Sequence, residues 1–186
     1  WGFKFLSAME IQEMDDLHIR PARPLDAPKV TRLARAYALT GLSAEEANRN
    51  GFLVSAYTET TYGDFAREAQ YFLVAVDQKG LAGFILAGSV NLFGWPNDLL
   101  RQFPEAAEQW VLVKQACIRE DKLGTGLAGM LYHAVFDRNP GAPAAAAILL
   151  EPPNPRSVRF HEKLGFRRVV EFEEGGLKKG LWKRLS

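Results

Sequence analysis

The sequence predicts an α/β fold of the mixed α+β type. Strand and helix patterns follow one another in the order β-α-α-β-α-β-β-β-α-β-α-β-β, which holds both hairpins and helical crossovers. A chain of 186 residues with 47% hydrophobic content is long and apolar enough to bury one ordinary core. Residues 16–186 are read as one domain. Residues 1–15 are read as an N-terminal extension, partly of non-native origin, with Met9 and Met14 as candidate native starts.

Asp16 to Ala22 alternates in polarity and reads as the first strand. Asp26 is an N-cap candidate with Pro28 in the first turn; Val30, Leu33 and Tyr37 share a face, giving a helix to about Leu39. Ser43-Ala44-Glu45-Glu46 has the capping-box pattern and opens a short second helix. Gly51 to Tyr57 reads as a strand and Thr61 to Gln70 as a helix. Tyr71 to Val76 and Leu81 to Ser89 are strands joined by the turn Asp77-Gln78-Lys79-Gly80. Val90 to Glu108 is irregular, with one helical turn around Leu99 to Phe103. Trp110 to Ile118 is a strand. Leu127, Met130, Leu131, Ala134 and Val135 form the stripe of an amphipathic helix. Ala144 to Leu150 is a strand and Pro155 to Leu164 a helix. Two last strands, Phe166 to Phe172 and Leu177 to Arg184, flank Glu173-Glu174-Gly175-Gly176.

Composition narrows the function classes. The formal net charge is +1 and the basic residues are scattered among acids, so no nucleic-acid partner is expected. The apolar runs are too short to span a bilayer, and the first residues lack a signal-peptide cleavage pattern, so no membrane partner is expected. The single cysteine, Cys117, has no partner for a disulfide, and there is no Cys/His set for a metal. The expected location is the cytoplasm. Cys117 itself reads as a small buried hydrophobe rather than a nucleophile, since no His lies near it in sequence.

Two segments carry chemistry. In the first, a strand ends near Ile118, a loop follows with Gly124 and Gly126, and a helix begins near Leu127. The first N–H groups of a helix lack internal partners and favour an anion, and glycines let the backbone approach it closely. Such a site suits a pyrophosphate. A plain glycine turn is the competing reading. In the second segment, Asn154 and Pro155 start a helix, and Gly165 ends it ahead of Phe166. Ser157, Phe160, His161 and Leu164 share one face of that helix. His18 and His133 have no metal-ligand partner at helical spacing.

The pair Ala116-Cys117-Ile118-Arg119-Glu120-Asp121-Lys122-Leu123-Gly124-Thr125-Gly126-Leu127-Ala128 and Asn154-Pro155-Arg156-Ser157-Val158-Arg159-Phe160-His161-Glu162-Lys163-Leu164-Gly165-Phe166 resembles the two cofactor-binding motifs of the GNAT superfamily of acyl-CoA-dependent N-acyltransferases. The resemblance covers about Leu17 to Arg184, and its specific part is Trp110 to Phe166. It implies a mixed central sheet of about seven strands, with helices on both faces, that splays between two strands to admit a pantetheine arm. It implies acetyl-CoA as cosubstrate and no metal.

Under this resemblance Ala116, Cys117 and Ile118 bind the cofactor arm from the strand end. The pyrophosphate loop is Leu123, Gly124, Thr125, Gly126, Leu127, Ala128 and Gly129. Leu123 stands where the family has Arg or Gln, so Lys122 or Arg119 would supply the charge. Asn154, Phe160 and His161 complete the cofactor site from the second helix.

The family usually has a Tyr at the position of His161, thought to protonate the departing thiolate. An imidazolium could act as that general acid, or His161 could simply pack beside the cofactor. Glu108 is the base candidate, with Glu105 beside it. Lys114 and Gln115 lie on the strand itself, pointing to opposite faces. Tyr37, Tyr57, Tyr62, Phe93 and Trp95 are candidates for the acceptor wall.

The implied reaction is N-acetyl transfer to a primary amine by direct attack in a ternary complex, and the partner is a small-molecule or peptide amine. The alternative is an acyl-CoA-binding or sensor module of the same fold with weak or no catalysis. A homodimer stays open.

Overall fold

The computed structural model describes residues 17–185, so the residues assigned to the N-terminal extension, and Asp16, lie outside it. The strands are β1 (His18–Pro21), β2 (Tyr71–Asp77), β3 (Gly80–Ser89), β4 (Val111–Ile118), β5 (Ala144–Leu149), β6 (Arg167–Glu174) and β7 (Leu177–Arg184). The helices before the sheet's centre are α1 (Ala27–Ala36), α2 (Ala44–Asn50) and α3 (Glu59–Glu68). Three short ones follow β3: α4 (Val90–Phe93), α5 (Asn97–Gln102) and α6 (Ala106–Gln109). The last two are α7 (Leu127–Phe136) and α8 (Pro155–Lys163).

The strands make one seven-stranded sheet in the order β1-β2-β3-β4-β5-β7-β6. All neighbours are antiparallel except β4 and β5, whose parallel pairing follows from the crossover through α7. One face of the sheet packs on α7, with Leu127, Leu131, Tyr132 and Val135 buried against Ile85, Val113 and Ile148. The other packs on α1 and α3, where Val30, Ala34 and Tyr62 meet Phe72 and Phe84. A third cluster, around Trp110, Leu112 and Leu181, fills the far end. Burial of this kind contributes about 25 cal/mol per Å² of apolar surface and holds the layers together.

Local signals account for most elements. Ser43 caps α2 in a capping box with Glu46, as the sequence pattern requires. Pro155 sits at the first position of α8, behind the Asn154 cap.

Three expectations are corrected. Gly51 to Tyr57 is not a strand; only an isolated bridge between Ala38 and Leu53 forms there. Its backbone is satisfied piecemeal: Leu53 bonds the backbone of Tyr37 and Leu39, while the Phe52 and Ser55 carbonyls accept from the Asn154 and Gln115 side chains. The irregular Val90 to Glu108 stretch contains three short helices rather than one turn. On α7 the buried stripe is Leu127, Leu131, Tyr132 and Val135; Met130 is 43% exposed, so the face is rotated to bring Tyr132 inward.

Candidate active site

β4 and β5 pair only at Val111 with Ala144, Leu112 with Ala145 and Val113 with Ala146. Beyond that they part. β4 stays with β3 as far as Ile118, while β5 leaves with β7 as far as Leu149. The backbone of Lys114 to Ile118 therefore faces that of Ala147 to Leu149 with no strand pairing between them. A cleft of about 720 Å³ occupies the opening, a volume ordinary for a small-molecule or cofactor site.

At one end of the cleft the walls are backbone. Gly124 and Gly126 have φ of +80° and +90°, the left-handed region that suits glycine, and they turn the chain into α7. Gly126 has no side chain to cap the helix. Met130 is the first residue to close an intrahelical bond, to the Gly126 carbonyl, so the N–H groups of Leu127, Ala128 and Gly129 have no partner within α7. Their dipoles favour an anion in the cleft. Leu123, Gly124, Gly126, Leu127, Ala128 and Gly129 all line this end. Thr125 does not; its hydroxyl turns back to donate to the Lys122 carbonyl at 2.8 Å.

Charge in the cleft comes from residues the sequence reading only partly named. Arg119 is spent elsewhere, its guanidinium bonding Asp77 at 2.6 Å and Asp121 at 2.6 Å. Burial would raise the Asp77 carboxyl, but the Arg119 hydrogen bonds and charge outweigh it and hold that group below the usual range. Arg119 is thus an anchor tying the loop to the β2–β3 hairpin, and its candidacy for the pyrophosphate is corrected. Lys122 lines the cleft, 3.6 Å from Asp77; elsewhere on the cleft wall are Arg156, Arg159 and Lys163 of α8, with Arg156 donating to the Arg49 carbonyl of α2 at 2.8 Å. Arg156, Arg159 and Lys163 recur at helical spacing i, i+3 and i+7, a signal present in the sequence that the motif reading passed over.

Ala116, Cys117, Ile118, Phe160, His161 and Asn154 line the same cleft. Asn154 caps α8, accepting from the Ser157 N–H at 3.3 Å, and its amide donates to the Phe52 carbonyl at 3.0 Å. Its polar atoms are engaged in shaping the wall. Cys117 is buried, and burial pushes its thiol well above the usual range, so it stays protonated.

His161 is 6% exposed. Its Nδ1 lies 2.8 Å from the Ser157 carbonyl, which fixes the proton there. Nε2 is then an acceptor, and it takes the Tyr132 hydroxyl at 2.9 Å. Burial lowers the imidazole from 6.5 to about 4. The expectation of an imidazolium donor near neutrality is therefore corrected: the ring is neutral there and has no proton on Nε2 to give. Burial also raises the Tyr132 hydroxyl above its usual range, so it too remains protonated.

The other end is made of side chains. The register of β3 against β4 slips between Leu86 and Ala87, whose partners are Gln115 and Val113. Lys114 is left as the extra residue of a bulge placed where the β4–β5 pairing ends. The bulge breaks the alternation of β4, so that Lys114 and Gln115 both line the cleft. Gln115 accepts from the Tyr62 hydroxyl at 2.7 Å and donates to the Ser55 carbonyl at 2.9 Å. With Asn154 it pins the Gly51 to Tyr57 segment as a wall.

Tyr37, Tyr57 and Trp95 line the cleft; Tyr62 is fully buried beneath it, and Phe93 packs in the core behind. Glu108 is exposed on α6 and lies off the cleft wall, and Glu105 is 3.6 Å from Lys183, so both base candidates are displaced. The carboxylate in the cleft is Glu174, at the end of β6, bonded to Lys179 of β7 at 2.5 Å. Among the described residues no group of three or more His, Cys, Asp or Glu could hold a metal, and no helix is long and apolar enough to cross a membrane.

The model of the acetyltransferase (GNAT) family matches residues 37–166. The chain belongs to that family. As a GNAT acetyltransferase it is a transferase by descent. Ard1 from Thermoplasma volcanium superposes with a TM-score of 0.64 at 16% identity, over 91% of this chain and 97% of that one. NAA60 of Arabidopsis thaliana, in complex with acetyl-CoA, gives 0.62 at 16%, over 91% and 98%. For yncA from Salmonella typhimurium, solved with its cofactor acetyl-CoA, the values are 0.63 and 18%, over 91% and 94%. At such identities the likeness is one of fold. No curated protein sequence matches this GNAT chain significantly.

Proposed function

We propose that the chain transfers the acetyl group of acetyl-CoA to a primary amine by direct attack in a ternary complex. The observation that carries this reading is the coincidence of three features on one cleft: parted parallel strands, an uncapped helix start behind two left-handed glycines, and a carboxylate at the far end. Solved relatives of the same fold hold acetyl-CoA.

The N–H groups of Leu127, Ala128 and Gly129 would hold the pyrophosphate, and Lys122, Arg156, Arg159 and Lys163 add positive charge to the same cleft. The thioester supplies the acyl electrophile and a good leaving group. The unpaired edge of β4 beyond Val113 offers a backbone N–H to the thioester oxygen as it gains charge. Glu174 takes the proton that the acceptor ammonium must lose; its nitrogen then forms the new bond as the C–S bond breaks. A thiolate with an ordinary pKa near 8.5 needs no strong acid to leave at neutral pH. His161 and Tyr132 position α7 against α8 rather than donate a proton.

Calorimetric titration with acetyl-CoA, with NADH as comparator, tests the cofactor assignment. Micromolar affinity for acetyl-CoA and none for NADH is expected, and absence of acetyl-CoA binding would sink the reading. A binding module without turnover is the second reading, favoured by the pairing of the cleft carboxylate, Glu174, with Lys179. Steady CoA release in a mixture of amines would exclude it.

A further inference from the structure

Among the described residues, Lys114 is a half-buried ammonium of the cleft that no ion pair explains. It occupies the bulge at the point where β4 and β5 separate. Among the described residues its Nζ makes no hydrogen bond or ion pair, and it lies 6.0 Å from the centre of the Phe93 ring. A ring at that distance is at the limit of a cation–π contact and does not replace a hydrogen bond. Burying the stem lowers the Lys114 ammonium below its usual range; Glu174 pulls it back up, and Lys179 pushes it further down.

The surroundings are specific. Glu174 and Lys179 face Lys114 from the β6–β7 hairpin, and their charges are paired with each other at 2.5 Å. The acceptor end thus holds two ammoniums and one carboxylate, and the carboxylate belongs to Lys179. A cationic acceptor such as a polyamine would set a further positive charge against Lys114. An acceptor with its own carboxylate would complete the set: its carboxylate on Lys114, its ammonium on Glu174. The apolar rim of Tyr57, Trp95 and Phe172 then covers the rest.

We propose that the acceptor is an amino carboxylate, a compact molecule with a carboxylate a few bonds from its primary amine, and that Lys114 is the specificity residue that binds the carboxylate. This rests on the acetyl-transfer reading above. The shared chemistry occurs in free amino acids and in peptide N-termini followed by an acidic residue.

The test is CoA release from acetyl-CoA by the full chain with four sets of amines: the common amino acids, the matching amines without the carboxylate, spermidine, and short C-terminally amidated peptides with Asp or Glu in second place. Turnover is expected with carboxylate-bearing amines and not with their decarboxylated partners. Reaction of the free amino acids or of the acidic peptides assigns the source.

Lys114→Met should raise KM for the preferred acceptor at least about tenfold while kcat stays within about threefold. Lys114→Arg, which keeps the charge, should restore much of the loss, and acetyl-CoA affinity should be the same in all three proteins. Should the chain fail to bind acetyl-CoA, the acetyl-transfer reading falls. If acetyl-CoA binds but only amines without a carboxylate react, or no carboxylate-bearing amine reacts, or Lys114→Met leaves KM unchanged, this proposal alone is overturned.

Discussion

The two ends of the cleft are built from different materials. The cofactor end is mainly backbone: left-handed Gly124 and Gly126 and the free N–H groups of Leu127 to Gly129. The acceptor end is side chain: Lys114 on a bulge, and Glu174 and Lys179 on a hairpin. A backbone site tolerates changes in neighbouring side chains such as Leu123. It does not tolerate a negative charge at its glycines, where any side chain also takes a strained φ. A side-chain site behaves the other way. Its geometry survives substitution, but its selectivity does not.

The sharpest way to break this contrast is Gly126→Glu. No atom lies within 4 Å of a Cβ built there, so the added carboxylate projects into open space before the helix start and repels an anion. The φ of +90° makes any L residue strained, at a cost of about 1–2 kcal/mol. A loss of acetyl-CoA affinity of about a hundredfold or more is expected by calorimetry, with circular dichroism unchanged. Glu174→Gln comes next. Removing the base should lower kcat by about a hundredfold and leave acetyl-CoA affinity intact. A fall in both together would mean that the two ends are not separable.

The same contrast explains what the sequence could show. The glycine loop, the Asn154–Pro155 cap and the strand–helix order are local signals, because each residue type answers a backbone need of its own neighbourhood. Lys114 and Glu174 are brought together from distant elements by a bulge and a hairpin register, and neither leaves a local pattern. Glu108 looked suitable for its place just before β4, but sequence nearness to a strand says nothing of which way a short helix faces. Tyr132 was passed over because α7 is apolar on more than one side, so a stripe could be drawn through Met130 as readily as through Tyr132. Gly51 to Tyr57 has strand-like residues, but this segment walls the cleft and finds its partners in Gln115, Asn154 and a single bridge at Ala38 rather than in a neighbouring strand.

The middle of the cleft, where the two materials meet, gives the smallest expected effect on turnover and the clearest effect on stability. The neutral His161–Tyr132 pair is a lock, so Tyr132→Phe should hold kcat within about threefold while leaving the buried Nε2 unpaired, a cost of about 1–3 kcal/mol. His161 also ties folding to pH. Its folded value of about 4 lies below the 6.5 of an unperturbed imidazole, so the unfolded chain takes up the proton first. The stability this group contributes is full above pH 6.5 and is lost as pH falls toward 4, by about 3 kcal/mol in all at 1.36 kcal/mol per unit.

Urea unfolding of the wild type and of His161→Phe at pH 7 and at pH 4 measures it directly. The wild type should lose more stability over that interval, by about that amount. Equal losses would mean that the folded ring takes up its proton near the ordinary 6.5. The proton-donor role denied to it here would then return.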